Sequence, residues 1–249
     1  ARDNLSGVSV YYINLERSHE RREWMKAQEK DLNISLTRLE AVDGKKLTSI
    51  KGGEYVFEDG SVLNYKTIPK GGESIYELAC TLSHINVIKT AYENGDEVAL
   101  ILEDDVNLYT IPMWDTTLQE LIDKAPDNWG MIHIGQSTNN PKKRHSFKKT
   151  MEWGTFSYII RRDIMKIILD YTYESNNKII VSNNVPGAIN ISADEFINRI
   201  VQHISRFYVT SPYITAINSE TLNSTIHDEY TNQHQLRTSQ FLTNYVTRL

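Results

Sequence analysis

Apolar and polar positions along this chain alternate in two rhythms, one of period two and one near period 3.6. Residues 8–15 (VSVYYINL) form a mostly apolar run that predicts a buried strand, and residues 17–32 follow as a charged helix. Residues 36–42 predict a second strand, closed by the turn pair Asp43-Gly44. Between 45 and 73, Gly, Lys and Glu break the periodicity, which predicts a loop or hairpin excursion. Ile75, Leu78, Ala79, Leu82, Ile85, Ile88 and Ala91 then recur at helical steps. That spacing predicts an amphipathic helix facing the sheet and stopped by Asn94-Gly95. Val98-Ala99-Leu100-Ile101-Leu102 follows as a buried strand that runs straight into Glu103-Asp104-Asp105.

Beyond the acids the pattern predicts a helix at 116–124, a central strand at 129–135 and a polar, basic loop at 136–150. A strand at 156–160, helices at 163–171 and 192–205, and a polar tail from about 228 complete the reading. No internal repeat or domain boundary interrupts it. Alternating strands and helices predict one α/β domain over 1–249, with a central, mainly parallel sheet flanked by helices.

Composition narrows the partners. A net charge of −5 gives no support for nucleic-acid or acidic-membrane binding. No apolar run approaches the ~18 residues of a membrane span. The N-terminal Ala1-Arg2-Asp3-Asn4 has no signal-peptide pattern, and its lack of Met is expected of a processed or excised piece. Cys80 is the single cysteine, which excludes an intramolecular disulfide framework and a multi-Cys zinc site. That usage fits a reducing, cytoplasmic setting better than a secretory lumen. Glycosylation sequons at Asn4, Asn33, Asn190 and Asn223 are of the kind an Asn-rich chain produces by chance.

Several constellations carry chemistry, each with a plainer alternative. Three carboxylates at a sheet rim repel one another unless a cation compensates them, so Glu103-Asp104-Asp105 is either a hard-metal site or a solvated loop start. Asn14 and Arg17, with Arg21 and Arg22 a turn later, sit at a strand-to-helix junction suited to a nucleotide's phosphates or base. Their alternative is a solvated helix face pairing Glu16 and Glu20 with Arg21 and Arg22. No dinucleotide or P-loop glycine signature is present. Ser83-His84 is no catalytic dyad, because neighbouring helical residues point about 100° apart. Ser192-Ala193-Asp194-Glu195 fits a capping box, which gives Glu195 a structural task and leaves Asp194 to accept a proton or to decorate the helix start. His227, beside Asp228, offers an imidazole that can join carboxylates on Mn²⁺. The basic run 142–149 is a solvated loop or a lid over an anionic ligand.

In order and spacing, six segments resemble glycosyltransferase family 25, the bacterial lipooligosaccharide and collagen-type galactosyltransferases. They are Ile13-Asn14-Leu15-Glu16-Arg17 with Arg21, Ala41-Val42-Asp43-Gly44, Cys80-Thr81-Leu82-Ser83-His84, Leu100-Ile101-Leu102-Glu103-Asp104-Asp105, Gly154-Thr155-Phe156-Ser157-Tyr158-Ile159-Ile160 and Asp194-Glu195-Phe196. Ala79 and Ser192 stand where the family has Gly and Pro, and Ser224-Thr225-Ile226 matches its terminal pattern only in part.

The resemblance implies a GT-A-type, Rossmann-like fold and an inverting, Mn²⁺-assisted transfer from a UDP-hexose. It favours UDP-galactose over UDP-glucose. The implied acceptor hydroxyl belongs to collagen-like hydroxylysine, a lipooligosaccharide sugar or another glycan. Glu103, Asp105 and His227 are then the metal ligands. Asn14, Arg17, Asp43, Ser83, His84 and Asp104, with Trp153, Gly154 and Thr155, surround the nucleotide sugar or acceptor. Asp194 is the base. Two rival classes are a metal-dependent phosphotransferase and a non-catalytic nucleotide-sugar or carbohydrate-binding module.

Overall fold

The computed structural model describes residues 4–50, 54–56, 62–66, 75–135, 146–149, 154–175, 178–182, 192–211 and 215–217. Its centre is a seven-stranded sheet. The strands are β1 (Ser9–Asn14), β2 (Thr37–Glu40), β3 (Val98–Glu103), β4 (Met131–His133), β5 (Ser146–Lys148), β6 (Ser157–Arg161) and β7 (Phe207–Ser211). Their order across the sheet is β2-β1-β3-β6-β4-β7-β5. Strands β1, β2, β3, β4 and β7 run one way, and β6 and β5 run the other. The expected parallel bias is therefore present, with one reversed strand inserted at its middle.

That insertion positions the site. Because β6 is antiparallel to β3, it begins where β3 ends, with Ser157 opposite Leu102. Glu103 N–H donates to Phe156 O at 2.9 Å, so the segment entering β6 lies beside the acidic strand end.

The strand residues divide by their period of two. Tyr11, Ile13, Ala99, Ile101, Met131, Tyr158 and Ile160 face one layer, made by α2 (Ile75–Glu93), α4 (Arg162–Thr172) and α5 (Ala193–His203). Val10, Tyr12, Leu100, Leu102, Ile132 and Ile159 face the other, where α1 (His19–Leu32), α3 (Leu118–Asp123) and the 3-10 turn Leu108–Met113 pack. A strand covered on both faces is apolar without alternation, which explains the unbroken Val98–Leu102 run.

A second sheet lies in the region expected to be a loop or hairpin. Thr48–Ile50, Glu54–Val56 and Val62–Lys66 form an antiparallel meander, and Lys178–Ser182 joins Val62–Lys66 in parallel. Tyr173–Ser175 completes it. The strand expectation for 36–42 shortens to β2, and that for 129–135 to β4.

A capping box does form, at the start of α3, where Thr117 and Glu120 bond each other's backbone N–H groups. The one expected at Ser192 does not. Ser192 makes no side-chain cap bond; its hydroxyl instead donates to Asp194 Oδ1 at 2.7 Å. The buried Glu195 carboxylate pairs with Arg199 at 3.1 Å, one helical turn away. The Glu195 N–H that a capping serine oxygen accepts donates to Asp194 Oδ1 instead, at 3.2 Å.

Candidate active site

The acidic triplet splits between two sets of partners. Glu103 Oε1 receives the Thr155 hydroxyl at 3.2 Å and lies 3.4 Å from His84 Nε2. Asp104 is buried, accepting from Arg21 at 2.6 Å and from Asn14 Nδ2 at 2.7 Å. Asp105 shares Arg21 at 3.3 Å, while its other oxygen is buried with no hydrogen-bond partner among the described residues.

The positive company that the triplet requires is thus in part Arg21. Expected to pair on the helix surface, Arg21 points inward instead; only Arg22 makes the predicted bond to Glu16, at 3.0 Å. Arg21, Met25 and Gln28 are the buried residues of α1, spaced i, i+4 and i+7 on one face. Arg21 was readable from that spacing as a site residue, yet its charge argued for the surface.

Burial raises the Asp105 carboxyl to about 7; Arg21 opposes the shift and the neighbouring Glu103 and Asp104 reinforce it. Burial likewise raises Asp104 against the pull of Arg21 and Asn14. Glu103 moves the other way. Burial disfavours its charge, but the bonds to His84 and Thr155 prevail and lower it.

Asn14 was expected at the nucleotide. Its side chain is already committed, donating to Asp104 and to Ser18 O and accepting from Arg38 at 3.0 Å. It braces the triplet from below. Ser83 is similarly occupied, donating to Ala79 O at 2.7 Å and accepting from Val42 N–H at 2.9 Å. It ties α2 to the loop that carries Asp43. Asp43 caps the 3-10 turn Gly44–Lys46 and receives Arg17 at 2.9 Å. Burial works against its charge, but the Lys45 N–H and Arg17 outweigh it and hold the carboxyl below its usual range.

Asp194 arrives from α5. Gly154 N–H donates to its Oδ2 at 3.2 Å, and Ser192 Oγ and Glu195 N–H hold Oδ1. Gly154 has φ +95°, a left-handed conformation that costs a side-chain-bearing residue dearly. The next residue, Thr155, is the one bonded to Glu103, so a two-residue step links the Glu103 and Asp194 carboxylates. The Cys80 thiol lies in the field of both; burial, then Glu103, Asp194 and Asp105, raise it well above the usual thiol range. Trp153, His227 and the basic residues 142–145 lie outside the described residues, as do the sequons at Asn190 and Asn223.

An open cleft is lined by Ile13, Arg17, Arg21, Val42, Gly44, Tyr76, Cys80, His84, Glu103 and Asp104, among others. Apolar walls with a few convergent charged groups are the usual make-up of a small-molecule site. The arrangement places the Glu103 carboxylate, the exposed Arg17 guanidinium and, through Thr155 and Gly154, the Asp194 carboxylate around one sheet edge.

The family model described as glycosyltransferase family 25 (LPS biosynthesis protein) matches residues 8–143, more than half of the chain. Procollagen galactosyltransferase 2 of Mus musculus is 31% identical over 146 residues, covering 57% of this chain and 23% of that protein. The inactive glycosyltransferase 25 family member 3 of Homo sapiens is 29% identical over 139 residues, covering 54% and 22%. The chain thus spans under a quarter of the length of these relatives. A solved glycosyltransferase involved in glycosylation of the major capsid of PBCV-1 covers 92% of this chain and 88% of its own at 14% identity and a TM-score of 0.40, too distant to bear on chemistry.

The chain belongs to glycosyltransferase family 25. Its central sheet flanked by helices is the GT-A-type α/β architecture that the resemblance implies. Among the described residues no helix is long and apolar enough to cross a membrane.

Proposed function

We propose that this chain transfers a hexose, galactose foremost, from a UDP-sugar to an acceptor hydroxyl with inversion at the anomeric carbon. One observation carries the reading: Thr155 and Gly154 tie the Glu103 and Asp194 carboxylates into a single site at the sheet edge. The name of the mouse relative supports galactose and a collagen-like acceptor such as hydroxylysine. A bacterial-type glycan acceptor fits the family description equally.

Glu103 and Asp105 would hold a divalent cation, Mn²⁺ by the family's chemistry, with His227 as their imidazole partner. Glu103 and Asp105 fit it, because an Asp105 oxygen buried without a partner among the described residues, and its raised carboxyl, both call for added positive charge. Such a cation, when bound, stabilises negative charge gathering on the departing diphosphate. Arg17, 42% exposed at the cleft and oriented by Asp43, supplies a guanidinium for a phosphate. Asp194 takes the acceptor hydroxyl's proton as the new C–O bond forms and the bond from the anomeric carbon to phosphate oxygen breaks, releasing UDP. The Gly154 N–H and Ser192 hydroxyl fix Asp194 for that task.

A second reading is a non-catalytic nucleotide-sugar-binding module. Arg21 already neutralises part of the triplet, and the human relative's name describes it as inactive. The test is UDP release from UDP-galactose and UDP-glucose, with and without Mn²⁺ and a hydroxylysine peptide. Mn²⁺-dependent release that Asp105→Asn and Asp194→Asn each cut at least about a hundredfold supports transfer. UDP binding with no turnover on any acceptor supports the module. Full activity of Asp105→Asn in excess chelator would sink the metal assignment.

A further inference from the structure

We propose that Cys80, His84 and Glu103 form a second metal site, selective for a borderline-soft divalent cation and for Zn²⁺ above all. Cys80 and His84 are one turn apart on α2 and so share a face of that helix. Strand β3 ends opposite them at Glu103. The thiol sulfur, an imidazole nitrogen and a carboxylate oxygen all lie within 4.8 Å of one another. All three residues line the open cleft, so an ion can reach them.

The spacing is that of ligands about a common centre. His84 Nε2 and Glu103 Oε1 are 3.4 Å apart. A nitrogen and an oxygen bound tetrahedrally to zinc at about 2.0–2.1 Å stand roughly 3.3 Å from each other. Rotation of the Cys80 side chain brings sulfur to the third position, and cleft water takes the fourth.

The outer partners are in place as well. His84 Nδ1 lies 3.1 Å from the buried Tyr158 hydroxyl, and Thr155 Oγ1 donates to Glu103 at 3.2 Å. With Nδ1–H given to Tyr158, the Nε2 lone pair faces the ion. Partners of this kind orient metal-binding imidazoles and carboxylates and strengthen them as ligands. Thiolate, imidazole and carboxylate together favour zinc over the magnesium or manganese that an all-oxygen set takes. On binding, the Cys80 S–H bond gives its proton to solvent and an S–Zn bond forms.

This site needs only its three side chains and is independent of sugar transfer. Glu103 cannot serve both sets, so Zn²⁺ is expected to inhibit any Mn²⁺-supported turnover. The decisive experiment titrates the whole, chelator-stripped chain with Co²⁺ and follows the thiolate-to-cobalt charge-transfer absorption in the near ultraviolet. One equivalent of Co²⁺ should produce the band and Zn²⁺ should remove it. Cys80→Ser should abolish the band and weaken Zn²⁺ binding at least about tenfold, with its circular dichroism unchanged. Asp105→Asn should keep the band. Cobalt binding without the band, or a band that persists in Cys80→Ser, overturns the proposal. Loss of the band in a folded Asp105→Asn protein moves the ion to the acidic triplet and overturns it too. Failure of sugar turnover leaves each of these readings unchanged.

Discussion

The two ends of the central sheet both gather charged side chains and treat them in opposite ways. At the amino ends of β3 and β4, Asp163 meets Arg206 at 2.7 Å and Arg161 at 3.5 Å, with its side chain 45% exposed. Nearby, Arg162 lies over the Tyr92 ring and donates to Tyr92 O. At the carboxyl ends, Arg21 meets Asp104 and Asp105 with side chains only 10%, 10% and 17% exposed. Water screens the first cluster, whereas the second is a desolvated network whose members depend on one another. Paired charges are common to both ends, but among the described residues only the buried cluster leaves a carboxylate oxygen without a partner. The contrast says that burial, more than charge count, marks the site.

The largest blow to that contrast is Arg21→Ala, which strands two buried carboxylates. It should cost about 3–5 kcal/mol in urea unfolding of the metal-free protein. A loss below about 1 kcal/mol would mean that the buried cluster behaves like the exposed one.

Next comes pH. The Asp105 carboxyl is raised to about 7 in the fold, above its ordinary 3.8. The folded state therefore holds a proton that the unfolded chain has shed between those values. Its share of stability is complete below pH 3.8 and is lost as pH rises toward 7, by at most about 1.4 kcal/mol per unit. His133 pulls against it. Buried in β4, with burial and then the nearby His84 acting against its charge, it falls to about 3 from 6.5. Its neutral form is protected above pH 6.5, and stability is lost as pH drops from there toward 3. Unfolding measured at pH 4.5, 5.5 and 6.5 should show stability rising more steeply with pH in Asp105→Asn than in the parent, and less steeply in His133→Gln. Parallel curves for all three proteins would remove both assignments.

Gly154→Ala tests the link between the carboxylates. Among the described residues the new Cβ meets nothing nearer than Phe156 at 3.5 Å, so the cost is the left-handed backbone itself, about 1–2 kcal/mol. Displacement of Asp194 should lower kcat more than it raises KM. The smallest effect belongs to Asp163→Asn at the exposed end, within about 1 kcal/mol by the same unfolding assay.

What the chain discloses in sequence follows from how local each feature is. The buried run of β3 and the helical spacing of α2 are contained in short windows, and both fold as read. The smaller sheet pairs Val62–Lys66 with Lys178–Ser182, partners more than a hundred residues apart, so no local period announces it. Strand β7 is different. Phe207-Tyr208-Val209-Thr210 is a run of β-formers, but it follows α5 without a glycine or proline to mark its start. Within the site, the triplet stood out because acids at a strand end are conspicuous. Arg21 and Asn14 stood out too, but as partners of a nucleotide, since nothing in a sequence shows that a cation or an amide will be spent inside on the triplet itself. The bonds of Thr155 and Gly154 to Glu103 and Asp194 likewise depend on the reversal of β6, which strand patterns do not encode.

The reversed strand also sets a timetable. Chains emerge from the ribosome amino end first and fold as segments become available. The acids leave early, but Thr155 and Gly154 are 52 and 40 residues from the carboxylates they bond. A nascent chain that stops before β6 has an acidic rim without its Thr155 partner, and one that stops before α5 still lacks Asp194. Closure of such distant contacts is slow compared with helix formation, so assembly of the full constellation belongs among the last events of folding.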